Sequence, residues 1–151
     1  MLLREIVENN HYNFVDSAED WEDSIRQSCK PLEADGTVSC GYAREIIECV
    51  KKHGPYIAIM PGFALPHAME NSACVSGTAI SFMKVEKPVS FDDADPDKSA
   101  TVFFTLASVD NEQHLKNMRQ LFKMLTNEDL CAELREARTA EDLLLLADKY
   151  K

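Results

Sequence analysis

The stretch that most constrains the fold is Pro61-Gly62-Phe63-Ala64-Leu65-Pro66-His67-Ala68, in which two prolines and a glycine fix the path of the backbone. Proline holds φ near one value, lacks an N–H donor and pushes the residue before it into an extended conformation. Leu65 is therefore expected to be extended, and His67 is presented beyond the end of a strand. A histidine held in this way is a candidate for chemistry, and a packed or turn-stabilising histidine is the alternative.

The length and charge of the chain limit the classes of protein to which it can belong. With 151 residues it has room for one substantial core, and we predict a single domain over residues 1–151. Its net charge is −10 at pH 7, whereas nucleic acids and anionic membrane surfaces require clustered basic residues. The charge therefore argues against both, and it leaves open a basic protein partner or a homodimer.

No apolar run approaches the roughly 20 residues that a membrane-spanning helix needs, and the start of the chain lacks the apolar core of a secretory signal. We therefore expect a cytoplasmic protein without membrane insertion. The 5 cysteines are scattered and never stand in a Cys-x-x-Cys spacing, so neither a disulfide framework nor a zinc knuckle is predicted.

Hydrophobic periodicity and turn residues predict helices on both sides of a sheet. The three strands are expected at 56–60, at 75–85 with Pro88 ending the strand, and at 101–107, where a nearly continuous apolar run indicates burial on both faces. Helices are expected after 17–20, loosened near Lys30-Pro31, from Thr37 or Ser39 to Gly54, and after Asp110, Asn127 and Thr139. The predicted architecture is a three-layer α/β domain with a central mixed β-sheet flanked by helices.

His114 is the second candidate, because it lies in the first turn of the helix that Asp110 is expected to cap. Free backbone N–H groups and the helix dipole at this end favour an anion. If the strands before His67 and before this helix are neighbours, both imidazoles share one crevice at the carboxyl ends of strands. The buried stripe of the helix is predicted to contain Leu115, Met118, Leu121, Phe122 and Leu125.

Two neutral imidazoles in one crevice suit phosphoryl transfer. A neutral imidazole is a nucleophile for phosphorus, and the helix end should keep the ring uncharged. Phosphoryl transfer needs an in-line nucleophile and hydrogen-bond donors for three oxygens. His67 would be the nucleophile, and His114 would donate to the phosphoryl oxygens.

Three other constellations are weaker. Asp93, Asp95 and Asp97 imitate the start of a calcium loop, but Lys98 stands where the loop needs glycine. Zinc bound by His53, His67 and His114 has no local His-x-x-x-His pair to support it. A Cys74–His67 nucleophilic pair has no recognisable oxyanion hole nearby.

At Pro61–Ala68 and His114 the sequence resembles the IIA component of the bacterial phosphoenolpyruvate-dependent sugar phosphotransferase system, in the mannitol/fructose superfamily. The first stretch is similar to the family's Gly-x-Ala-x-Pro-His phosphorylation motif, and His114 stands where the family has its second active-site histidine. The residues Lys52–Tyr56 and Ala107–Asp110 resemble the ascorbate-type branch. The similarity extends over nearly the whole chain.

The resemblance implies the mannitol/fructose-type IIA fold and a cytosolic phosphotransferase without metal or other cofactor. His67 would accept a phosphoryl group from the phosphohistidine of HPr and pass it to a cysteine of a IIB partner, while a membrane IIC subunit takes up L-ascorbate or a related sugar acid or pentitol. The alternative is a regulatory IIA-like phosphoprotein that binds a regulator and forwards no phosphate to sugar.

Two features depart from the family pattern. The arginine that mannitol and fructose members carry on the second helix is absent, and Lys51 or Lys52 is the candidate substitute. Met69-Glu70-Asn71 stands where the ascorbate-type branch often has Arg-Pro-Glu.

Overall fold

The computed structural model describes residues 2–68 and 72–151 as a mixed sheet between helices. In chain order the elements are α1 (Leu2–Glu8), β1 (Tyr12–Val15), α2 (Trp21–Ala34), α3 (Gly41–His53), β2 (Gly62–Ala64), β3 (Ala79–Ser90), β4 (Ser99–Ala107), α4 (Asn111–Leu125), α5 (Glu128–Glu136) and α6 (Ala140–Lys149). No helix within the described ranges is long and apolar enough to cross a bilayer.

The sheet has four strands in the order β1-β3-β4-β2. The two central strands, β3 and β4, are antiparallel, whereas β1 pairs with β3 and β2 pairs with β4 in parallel. The parallel pairing of β2 with β4 matters most for function. It places the segments that leave these two strands at the same edge of the sheet.

Hydrophobic side chains cover both faces of the sheet, which confirms the predicted three-layer α/β architecture. One core packs α1, α4, α5 and α6 against side chains such as Phe82 and Phe104, and the other packs α2 and α3 against Met83 and Phe103. Adjacent residues of a strand point to opposite faces, so Phe103 and Phe104 belong to different cores. Both are fully buried, as predicted for a central strand.

The prediction of a strand at 56–60 was wrong. The backbone closes local hydrogen bonds there, from Tyr56 N–H to the Gly54 carbonyl and from Ala58 N–H to the Pro55 carbonyl. Such turn bonds occupy the groups that a sheet ladder would need. The strand is β2 instead, inside the proline-glycine stretch, and it ends at Ala64.

Pro88 does not end β3, which begins at Ala79, later than predicted, and continues to Ser90. The ladder between β3 and β4 shifts register between Lys84 and Val89. Because a bulge leaves residues outside the ladder, a proline without an N–H is tolerated at this place.

The helix boundaries follow their caps more closely than the strand boundaries follow apolar runs. Asp20, Asp110, Asn127 and Thr139 each accept a backbone N–H in the first turn of the next helix, as their side chains predict. The helix α3 begins at Gly41, later than predicted, and ends before Gly54 at φ +84°. The helix α2 continues past Pro31 to Ala34.

The predicted buried stripe of α4 was partly wrong. Leu121 and Leu125 are buried, but Leu115 is 56% exposed and Phe122 is 49% exposed. The inward face of the helix uses Asn117, Leu121, Met124 and Leu125. Two large apolar side chains of α4 are therefore left on the surface, on the helix that carries His114.

The sequence patterns gave no signal for α1 and β1. These elements have 7 and 4 residues, and every residue of β1 is half-buried. Neither is long enough to show a clear apolar period. β1 completes the sheet at the edge opposite β2, and α1 packs in one of the two cores.

Candidate active site

The parallel pairing of β2 and β4 brings His67 and His114 to the same edge of the sheet. His67 follows the end of β2 by three residues, and His114 lies in the first turn of α4, which follows β4. The Leu106 N–H donates to the Pro66 carbonyl at 2.9 Å and joins the two chain segments next to His67. Electrostatic repulsion from His114 lowers the pKa of His67, as expected for two imidazoles at the same edge of the sheet.

The backbone conformation at the start of β2 explains why position 62 is a glycine. Gly62 has φ +90°, and a Cβ there would come 2.9 Å from the Arg135 Nε. The Arg135 guanidinium lies 4.9 Å from the centre of the Phe63 ring and donates to the Pro61 carbonyl at 3.1 Å. A side chain at position 62 would displace this contact and strain the backbone.

The hydrogen bond of the His67 ring determines its tautomer. The Nδ1 atom lies 2.5 Å from the Leu65 carbonyl oxygen. A carbonyl can only accept, so Nδ1 carries the proton in the neutral ring and Nε2 carries the lone pair. Within the described residues, Nε2 makes no hydrogen bond. In the neutral ring, Nε2 is thus the nitrogen whose lone pair is available.

Burial is the main cause that lowers the pKa of His67 below its ordinary value of 6.5. The bond to the Leu65 carbonyl acts in the opposite direction, and the nearby His114 lowers the pKa further. Desolvation disfavours the charged form of an imidazole. The ring is therefore neutral at pH 7. The sequence analysis expected the helix end to keep the His67 ring neutral, whereas burial is the main cause in the structure.

The sequence predicted free N–H groups at the start of α4, but most of the N–H groups there are occupied. The Asp110 carboxylate accepts from the N–H groups of Glu112 and Gln113 at 3.0 and 3.3 Å. The Thr78 hydroxyl oxygen accepts from those of Val109 and Asp110 at 2.9 and 3.0 Å. Side chains of the protein itself therefore occupy four N–H groups at this end, which leaves less of the helix terminus for an anion.

Two tyrosines contact the His67 segment, and the sequence interpretation gave neither of them a role. The Tyr56 hydroxyl donates to the His67 carbonyl, and its ring meets the imidazole edge-on with centroids 5.1 Å apart. Tyr42, buried on α3, accepts from the Ala68 N–H at 3.4 Å. A buried tyrosine usually has a hydrogen-bond partner, and that was the available signal for Tyr42.

Lys51 and Lys52, the candidate substitutes for the family arginine, make no hydrogen bond with His67 or His114 among the described residues. The Lys51 Nζ lies 3.6 Å from the Glu22 Oε1 on α2, and Lys52 is exposed at the end of α3. The second departure from the family pattern, at 69–71, lies outside the described residues.

The rival constellations are not assembled by the fold. Cys74 donates its S–H to the Glu45 carboxylate at 3.4 Å, and Asp93 accepts from the Ser90 hydroxyl in the exposed loop between β3 and β4. Over residues 2–68 and 72–151, His, Cys, Asp and Glu side chains form no cluster of three or more that could hold a metal ion.

The sequence matches the family described as "Phosphoenolpyruvate-dependent sugar phosphotransferase system, EIIA 2" over residues 5–149. The chain belongs to this family. Its members are phosphotransferase components, and the resemblance seen at the proline-histidine stretch is thereby confirmed.

Relatives and solved structures agree with the EIIA 2 assignment. The ascorbate-specific PTS system EIIA component of Escherichia coli strain K12 is 31% identical over 153 residues, covering 99% of this chain and 97% of that protein. A putative PTS IIA, PtxA, from Streptococcus mutans superposes with TM-score 0.85 at 28% identity, covering 99% of this chain and 94% of that one. The mannitol-specific cryptic enzyme IIA CmtB from Escherichia coli gives TM-score 0.82 at 25% identity, covering 99% of both chains.

The lowered pKa of His67 is measurable by a pH titration of its ring signals in NMR. Because the folded environment favours the neutral ring, the protonated form should appear only when the pH falls below the ordinary value, and the midpoint should lie below 6.5. The His67→Ala variant assigns the signal by its loss. A midpoint at or above 6.5 would show that the ring is hydrated or paired with an acid.

Proposed function

We propose that the chain is a phosphocarrier in which the Nε2 of His67 accepts a phosphoryl group from the phosphohistidine of HPr and passes it to a cysteine of a IIB partner. In the first step the P–N bond of HPr breaks as the P–Nε2 bond of His67 forms. In the second step that bond breaks and a P–S bond forms on IIB. No other group is consumed, so the phosphoryl group is conserved through both steps.

The observation that carries the proposal is the hydrogen bond from Nδ1 to the Leu65 carbonyl. It leaves a single nitrogen able to attack phosphorus, and burial keeps that nitrogen unprotonated at neutral pH. Transfer of a phosphoryl group needs a nucleophile that is held in line with the phosphorus it attacks. The imidazole of His67 is neutral and is held by its hydrogen bond to Leu65, which supports its assignment as this nucleophile.

His114 is proposed to stabilise the phosphoryl oxygens. The backbone N–H groups of Glu112 and Gln113 are bound by Asp110, so the His114 ring is the side-chain donor that the first turn of α4 brings to this edge of the sheet. A hydrogen bond to an oxygen that gains charge in the transition state lowers the barrier more than it stabilises the ground state.

The surface around the site supports docking to protein partners. Val109 and Leu115 flank the first turn of α4 and are 60% and 56% exposed. Exposed apolar side chains beside a reactive group are typical of a protein interface. The net charge of −10 favours partners that present basic residues.

The proposed transport substrate is L-ascorbate or a related sugar acid or pentitol, moved through a membrane IIC subunit from a cytoplasmic phosphocarrier. Support comes from the full-length similarity to an ascorbate-specific EIIA component.

Phosphorylation tests the nucleophile directly. Wild-type protein incubated with phosphoenolpyruvate, enzyme I and HPr should gain one acid-labile phosphoryl group by intact mass, and His67→Ala should gain none. His53→Ala removes an exposed histidine at the end of α3 and should be labelled like the wild type. Labelling of His67→Ala would refute the assignment.

Substitution of His114 tests its role in transfer to IIB. Removing one donor to a transition-state oxygen costs on the order of 10²-fold in rate, so His114→Ala should slow transfer by about that factor. His114→Gln retains an N–H donor and should lose less.

If His114→Ala transferred the phosphoryl group to IIB at the wild-type rate, His114 would not have the proposed role. A regulatory protein that retains its phosphoryl group would instead be labelled on His67 and give no transfer to IIB in any variant.

A further inference from the structure

The peptide group that follows His67 is held at both ends by tyrosine hydroxyls. The Tyr56 hydroxyl donates to its carbonyl, on His67, and the Tyr42 hydroxyl accepts from its N–H, on Ala68. The His67 carbonyl and the Ala68 N–H belong to one planar peptide group, whose orientation determines the direction of the chain after His67. Both tyrosines come from elsewhere in the chain, on α3 and in the turn after it.

Tyr56 restrains the ring of His67 as well as its backbone. The two rings meet edge-on at an interplanar angle of 87°. An edge-to-face contact of this kind has a preferred geometry and resists rotation of the imidazole. With Nδ1 bonded to the Leu65 carbonyl, the ring is fixed from two directions.

Tyr42 connects the same peptide to the end of β4. Its hydroxyl donates to the Leu106 carbonyl at 2.5 Å while it accepts from the Ala68 N–H. The Leu106 N–H in turn donates to the Pro66 carbonyl at 2.9 Å. Residues 66 to 68 are thus tied to the strand that leads to His114.

Both hydroxyls stay protonated at neutral pH. Burial raises the pKa of Tyr42 and of Tyr56, because a phenolate would be poorly solvated there. A protonated hydroxyl can donate one hydrogen bond and accept another, which is what the position of Tyr42 requires.

We propose that Tyr42 and Tyr56 are positioning residues that clamp the His67–Ala68 peptide and thereby direct the His67 Nε2 toward the incoming phosphorus. The inference rests on the proposed phosphocarrier function. The hydroxyls touch the backbone and no reacting atom, so their effect is on alignment. Misplacement of a nucleophile by about 1 Å is enough to reduce a rate by up to about 10²-fold.

Removal of each hydroxyl tests the clamp. Tyr42→Phe and Tyr56→Phe should each lower kcat for transfer from phosphorylated HPr by about ten-fold, with KM nearly unchanged. The matched control is Tyr150→Phe. The Tyr150 hydroxyl donates to Glu133 in the C-terminal part of the chain, so its removal should leave kcat and KM unchanged. Each variant is assayed below its measured unfolding temperature, so that lost stability does not enter the rate.

The double variant distinguishes one clamp from two separate supports. If both hydroxyls hold the same peptide, releasing one end frees it, and the second substitution should add little. Losses that multiply would show that the tyrosines act independently and would overturn the shared clamp. Wild-type kcat in both single variants, with the wild-type protein labelled on His67, would overturn the positioning role.

Ring spectra of unphosphorylated His67 test the clamp without any transfer. The wild type should show a ring protonated on Nδ1, and Tyr56→Phe should shift the ring and backbone signals of His67, because the His67 carbonyl loses its hydrogen-bond donor. If the wild type takes no phosphoryl group, the proposed function fails, and the clamp is decided by these spectra. Identical His67 signals in the wild type and Tyr56→Phe would overturn it.

Discussion

The hydrogen bond between the His67 Nδ1 and the Leu65 carbonyl is the interaction on which the site depends. It selects one tautomer, because the Leu65 carbonyl can only accept and the proton therefore lies on Nδ1. Leu65 is held there by its own N–H, which donates to the Ile57 carbonyl at 2.8 Å. The turn at 56–60 therefore supports the His67 ring through Leu65, although it is not the strand that its apolar residues predicted.

The sheet order converts this local geometry into a site with two histidines. His67 and His114 are far apart in the sequence, and only the parallel pairing of β2 with β4 places them at one edge. Asp110 and Thr78 bind four backbone N–H groups at this helix end, so little of the anion cradle expected in the backbone of the first turn of α4 remains. Side-chain chemistry has to replace it, which gives the His114 ring its proposed importance.

The sequence predicted the parts of the site that depend on local chemistry. Pro66 and Gly62 restrict the backbone wherever they stand, and Asp110 caps a helix through its own side chain, so these features could be recognised without a structure. The three-layer architecture followed from apolar strands between amphipathic helices. Leu115 and Phe122 were misplaced because helical spacing alone does not decide which apolar residue faces the core.

The contacts of Tyr42 and Tyr56 could not be predicted, because they join residues that only the tertiary fold brings together. Tyr42 reads as one more buried position on α3, and Tyr56 as the start of an apolar run. Their partners are backbone atoms of His67 and Ala68, which carry no sequence signature. The same holds for the pairing of Lys51 with Glu22, which involves one of the two lysines suggested as substitutes for the family arginine.

The position of the phosphoryl group on the His67 ring tests the central claim most directly. Long-range proton–nitrogen NMR spectra of the phosphorylated protein distinguish a phosphoryl group on Nε2 from one on Nδ1. The bond of Nδ1 to the Leu65 carbonyl predicts phosphorylation on Nε2, with the Nδ1 proton retained. A phosphoryl group on Nδ1 would contradict the account, because that nitrogen would have to leave its hydrogen bond before it could react.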